Sequence, residues 1–195
     1  MRVGVLLFDG AEELDYSGPY EVFSVANRVA AQSGLPRPFD LITIGEHAGP
    51  VESAGGLRVL PDIAMDQSLE IDLLLVPGGA GTRRGQDIAP TIRFIEAMYP
   101  KVKIMASVCT GAFLLARAGL LRGVRATTHW ASLDVFRQAF PETRVVDDAR
   151  FVDEGHIMTA GGITAGIDLA LYIVEKTIGS EIAEKTAKRM EYMRR

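Results

Sequence analysis

The chain has 195 residues, 48% of them hydrophobic, with 21 Lys+Arg against 25 Asp+Glu and a formal net charge of -4. That is enough chain for one domain with a real core, expected to span residues 1–195, and the mild acidity without a basic block argues against nucleic-acid binding. A single cysteine and three scattered histidines exclude an internal disulfide and a cysteine zinc cluster, so neither a metal nor another cofactor is expected.

Residues 3–8 form an apolar run that ends in Asp9-Gly10. It is too short for a signal-peptide core and reads as a buried strand. The helix that follows is expected to begin at Pro19, with Gly18 as N-cap and Glu21 reaching back. It carries Val22, Phe23, Ala26, Val29 and Ala30 on one face. Residues 41–44, 71–76 and 104–108 read as further buried strands. Ile88, Ile92, Ile95 and Tyr99 share a helical face. Segment 109–118 is apolar all round through Ala112-Phe113-Leu114-Leu115-Ala116, the pattern of a helix buried within a domain, with a glycine stop after it. Arg125-Ala126-Thr127 reads as a strand, and Leu133, Phe136 and Phe140 as a helix face. Residues 151–152 and 157–159 read as a hairpin. Ile163, Ile167, Ala170, Leu171 and Val174 mark another helix, and 182–193 a closing surface helix. Strands alternating with helices imply an α/β fold with a mostly parallel, doubly covered sheet. No stretch approaches 18 uninterrupted apolar residues, so no membrane association is expected. A cytoplasmic location suits the lone reduced thiol.

In an open parallel sheet, ligands bind beyond the carboxyl ends of the strands. The residues that follow the expected strands are Asp15 after the first, Pro77-Gly78-Gly79-Ala80-Gly81 after 71–76, Cys109-Thr110-Gly111 after 104–108, and Thr128-His129-Trp130 after 125–127. Ser107-Val108-Cys109-Thr110-Gly111-Ala112 has the form strand, nucleophile, helix, with small residues that let the backbone bend sharply. An inert core cysteine needs no such turn. Helix-terminal amides at this position are expected to lower the Cys109 pKa below that of a free thiol. Gly78 and Gly79 read either as a tight turn or as amides donating to developing negative charge. Asp15 reads either as a helix-start acid or as a carboxyl sharing a proton with Cys109. His129 reads either as a packed residue or as the base of a Cys–His dyad. His47 and His156 read as solvated.

Together these motifs resemble the ThiJ/PfpI branch of the class I glutamine amidotransferase-like superfamily, from Val3 to about Lys176. Within it they are most similar to isonitrile (isocyanide) hydratases. The likeness is carried by Leu14-Asp15-Tyr16-Ser17-Gly18-Pro19, Pro77-Gly78-Gly79-Ala80-Gly81, Ser107-Val108-Cys109-Thr110-Gly111, Arg125 to Ala131, and Gly161-Gly162-Ile163-Thr164-Ala165-Gly166-Ile167-Asp168. It implies a flavodoxin-like three-layer sandwich, usually a homodimer. It also implies that Cys109 is the nucleophile and Asp15 its acid partner, and that Thr110, Gly78 and Gly79 orient water and thiolate around a small-molecule substrate. His129 is placed at the substrate side. Thr110 stands where the protease-like branch has histidine, which argues against peptidase activity. The resemblance leaves two alternatives. One is a ligand- or redox-sensing domain like that of AraC-type regulators, whose helix-turn-helix module would need roughly another hundred residues. The other is a glyoxalase- or deglycase-like detoxifier of reactive carbonyls.

Overall fold

The computed structural model of the protein describes residues 1–66 and 68–194. β1 (Arg2–Leu7) leads into α1 (Glu13–Gln32), β2 (Asp40–Gly45) and the short strands β3 (Val51–Glu52), β4 (Arg58–Val59) and β5 (Ile63–Ala64). Then come β6 (Leu73–Val76), α2 (Ala89–Met98), β7 (Ile104–Val108) and α3 (Gly111–Arg117). β8 (Arg125–Ala126), α4 (Leu133–Ala139), β9 (Arg144–Val145), β10 (Phe151–Asp153), β11 (Ile157–Ala160), α5 (Ala165–Ile178) and α6 (Ser180–Arg189) complete the chain.

Seven strands form one sheet in the order β10-β11-β7-β6-β1-β2-β5. All neighbours are parallel except the β10–β11 hairpin. Every residue of β6, and all of β7 after Ile104, is buried, which requires cover on both faces and explains why these strands read as unbroken apolar runs. The helices pack in two groups, α1 with α5 and α6, and α2 with α3. The result is a three-layer α/β sandwich of flavodoxin-like character. β11, β7, β6 and β1 lie side by side and parallel, so the loops after their carboxyl ends are neighbours. Among the described residues, no helix is long and apolar enough to cross a membrane.

Three sequence expectations need correction. α1 starts at Glu13, not Pro19, and carries Pro19 inside it. Proline has no N–H for the carbonyl of Asp15 four residues before, so local preference favours a later start. Packing overrides it: Pro19 is buried, and a Cβ on Gly166 of α5 would lie 3.3 Å from its Cγ. Glu21, expected to cap, instead accepts from Arg28 within the helix at 2.7 Å. β8 pairs with β9 in a separate two-stranded sheet and is no part of the main one.

Candidate active site

The turn from β7 to α3 puts Cys109 at its apex with φ of 57°. A non-glycine residue there costs roughly 1–3 kcal/mol and persists only where its surroundings over-determine it. They do so here. The Cys109 amide donates to the carbonyls of Ala160 (3.0 Å) and Gly161 (2.9 Å), and its carbonyl accepts from the Thr128 hydroxyl at 2.8 Å. The thiol is almost enclosed, with Cys109 7% exposed. The Thr110 and Ile163 amides and the Thr110 hydroxyl are the groups that favour the thiolate form of the sulfur.

Asp15 reaches the same place from the first turn of α1 and is fully buried. Its Oδ2 accepts from the Gly78 amide at 3.0 Å. The Cys109 thiol is its hydrogen-bonding neighbour, although Oδ1 has no partner that meets hydrogen-bond geometry. The Gly79 amide donates to the Thr110 hydroxyl oxygen at 2.9 Å, and Thr82 donates to the Gly79 carbonyl at 2.8 Å. A Cβ on Gly78 would lie 2.5 Å from the Thr110 nitrogen and 3.0 Å from Asp15 Oδ2. Gly79 has φ of 113°, a region that only glycine enters freely. Both glycine amides are engaged within the protein, where they orient Asp15 and Thr110.

The structure thus gathers Cys109, Asp15, Thr110, Gly78 and Gly79, and leaves His129 out. The ring of His129 faces the turn after β11, where a Cβ on Gly162 would lie 2.3 Å from its Cδ2. Its Nδ1 accepts from the Ala131 amide at 3.3 Å, and it is not among the groups acting on the thiol. No Cys–His dyad forms. His129 lines a cavity of about 500 Å³ with the exposed Trp130, Leu133, Arg150 and Ile163. Sequence reasoning missed Ile163 as a site residue. It stands at φ of 45° and its amide favours the thiolate; the Gly161-Gly162 pair before it was the available signal. Among the described residues, one group of metal-ligating type comes together, Asp9, Glu46 and His47. There Arg84 binds Glu46 at two points, at 3.0 and 2.5 Å.

Burial pushes the Asp15 carboxyl from 3.8 to about 7, against the Gly78 amide, with the charge of Glu12 adding to the rise. Burial also pushes the Cys109 thiol to about 12, helped by the charge of Asp15 and opposed by the Thr110 and Ile163 amides. The expected lowering of the Cys109 pKa is overturned for a physical reason. Helix amides do stabilise the thiolate, but α3 has only seven residues, and desolvation beside a second acid outweighs them. Between the two values the pair holds one proton. For Asp15 the raised folded-state pKa means that the unfolded chain ionises first. The unfolded state then binds fewer protons from about pH 4 to about pH 7, so stability falls as pH rises through that window. The full loss, reached above it, is at most about 4 kcal/mol. Asp15→Asn keeps the Gly78 contact and has no proton to lose. Its melting temperature should match wild type near pH 4 and exceed it by about pH 8, the gap opening across the window. A gap that does not vary with pH in thermal unfolding would contradict this origin.

The sequence model of the DJ-1/PfpI family matches residues 1–176. Isonitrile hydratase from Pseudomonas putida is 36% identical over 98% of this chain and 78% of its own length. The HTH-type transcriptional regulator GbdR of Pseudomonas aeruginosa is 28% identical over 98% of this chain, which spans only 51% of that protein. Among solved structures, a ThiJ/PfpI family protein from Pseudomonas syringae superposes with a TM-score of 0.84 at 28% identity, covering 98% of this chain and 74% of that one. With the elbow, the acid and the glycine loop placed as described, the chain belongs to the DJ-1/PfpI family.

Proposed function

We propose that this protein is a cysteine-dependent hydro-lyase that hydrates a small isonitrile to an N-substituted formamide. The observation that carries the reading is the buried Cys109–Asp15 pair, which holds one proton and has no imidazole on the thiol. The 36% identity to an isonitrile hydratase supports it. Acyl transfer to an amine leaving group needs a base that returns its proton. Hydration of an electrophilic carbon needs a nucleophile and one mobile proton.

The Cys109 thiolate attacks the terminal isonitrile carbon, and Asp15 gives that carbon the shared proton, leaving a thioimidate on the sulfur. Water then adds its oxygen to the thioimidate carbon while one of its protons reaches nitrogen. The hydroxyl proton passes to the Asp15 carboxylate, the C–S bond breaks, and N-substituted formamide leaves with thiolate and carboxyl restored. One isonitrile and one water give one formamide. The Thr110 and Ile163 amides stabilise the sulfur as a leaving thiolate, and the Thr110 hydroxyl orients the water.

The similarity to GbdR favours one second reading, a sensing domain in which the same site binds ligand without turnover. Purified protein offered small isocyanides, methylglyoxal and chromogenic anilides separates the two. We expect formamide from isocyanides only, none with Cys109→Ala, and a loss of about 10²–10⁴-fold in Asp15→Asn. His129→Gln should stay within roughly tenfold of wild type, about 1.4 kcal/mol in the barrier. Binding without turnover would support the sensor, and anilide cleavage that His129→Gln abolishes would overturn the mechanism.

We extend the proposal to a homodimer. Leu57 and Leu60 are exposed, and a groove of about 320 Å³ runs between Tyr16 and Tyr20 of α1 and Val59 and Leu60, an apolar surface suited to a second copy. Sedimentation should give a dimer at micromolar concentration, and a monomer there would contradict it.

A further inference from the structure

Arg150, just before β10, lies outside the groups that meet the thiol, yet it holds both ends of the turn that delivers the Ile163 amide. At the start of that turn its carbonyl accepts from the Gly161 amide at 2.9 Å, and the Gly161 carbonyl accepts in turn from Cys109 at 2.9 Å. At the far end its guanidinium donates to the Thr164 hydroxyl at 3.2 Å. The guanidinium is itself fixed. Nε donates to Asp168 Oδ2 at 2.8 Å, and a second nitrogen donates to the same oxygen. Asp168 is 2% exposed on α5, and the Tyr192 hydroxyl donates to it at 3.0 Å from beyond α6.

Between those anchors stands Ile163, a β-branched residue at φ of 45°. Such a conformation is costly and needs bracing from outside. A buried carboxylate is retained only where its charge is matched, and here the matching cation is Arg150. Neither Arg150 nor Asp168 is among the groups acting on the thiol, so the pair's effect on the sulfur runs through the turn.

We propose that Arg150, Asp168 and Tyr192 are positioning residues that clamp the 161–164 turn, whose Gly161 carbonyl takes the Cys109 amide, and so fix the Ile163 amide beside the nucleophile. The clamp ties the reactivity of the nucleophile to the last described turn of the chain. Releasing it removes one of the amides that favour thiolate, and the proton shared with Asp15 moves toward sulfur. The proposal rests on Cys109 being the nucleophile and not on the identity of the electrophile.

The full chain is alkylated with excess iodoacetamide, and Cys109 adducts are read by intact mass from about pH 6 to about pH 9. Asp168→Asn and Arg150→Ala should slow alkylation about tenfold near neutrality, with the profile displaced upward by about one unit. Arg150→Lys, which keeps a cation on Asp168, should recover part of the rate. Tyr192→Phe should shift the profile in the same direction by less. A folded Asp168→Asn or Arg150→Ala protein that alkylates at the wild-type rate or faster, with an unmoved profile, overturns the proposal, even if it melts earlier, because the pair is then only structural. If neither variant folds, Tyr192→Phe decides in the same way, since it keeps the ring and removes one hydroxyl. No isonitrile enters the measurement. A displaced profile in a protein without hydratase activity therefore upholds the clamp and removes only the hydration reading.

Discussion

The Asp15 carboxyl and the Cys109 thiol are buried together where the surroundings accommodate one negative charge and not two. Desolvation raises both, and the charge of Asp15 raises the thiol further. A single mobile proton in a buried site is the consequence, and it is what addition across an electrophilic carbon requires. The donors around the pair divide the work. Gly78 holds the carboxyl. Thr110 and Ile163 hold the sulfur. Gly79 and Thr82 fix the Thr110 hydroxyl.

That arrangement depends on the sheet. β1, β6, β7 and β11 are adjacent and parallel, so a carboxyl from the first loop, amides from the second, a thiol from the third and an amide from the fourth meet at one edge. Two residues of the site are non-glycine at positive φ, Cys109 and Ile163, each costing roughly 1–3 kcal/mol. The core beneath is large enough to carry that strain. Phe8, Leu74, Leu75 and Val108 are fully buried or nearly so, and each such side chain contributes about 1.5–3 kcal/mol.

The strands, the elbow and the convergence of Asp15, Gly78, Gly79, Cys109 and Thr110 are legible in the sequence because each follows from local pattern: an apolar run, then the residues just past its end. What is not legible depends on partners distant along the chain. Pro19 sits inside a helix because α5 packs against it. Arg125-Ala126 leaves the main sheet because β9 is its partner. The glycine amides are free in the sequence and engaged in the fold. The thiol pKa moves opposite to the local expectation, since a helix N-terminus is visible in sequence whereas the depth of burial is not. The Arg150–Asp168–Tyr192 contacts join three separate segments, and no periodicity announces them.

The central claim is that burial makes Asp15 keep a proton well beyond the range of an ordinary carboxyl, beside a thiol that itself favours the charged carboxylate. Infrared difference spectroscopy of wild type against Asp15→Asn isolates the carbonyl stretch of this one protonated carboxyl as pH is raised. The account predicts a band that persists past about pH 6 and titrates higher still in Cys109→Ala, where the thiol that favours the carboxylate is removed. A band already lost by about pH 5, unchanged by Cys109→Ala, would contradict it.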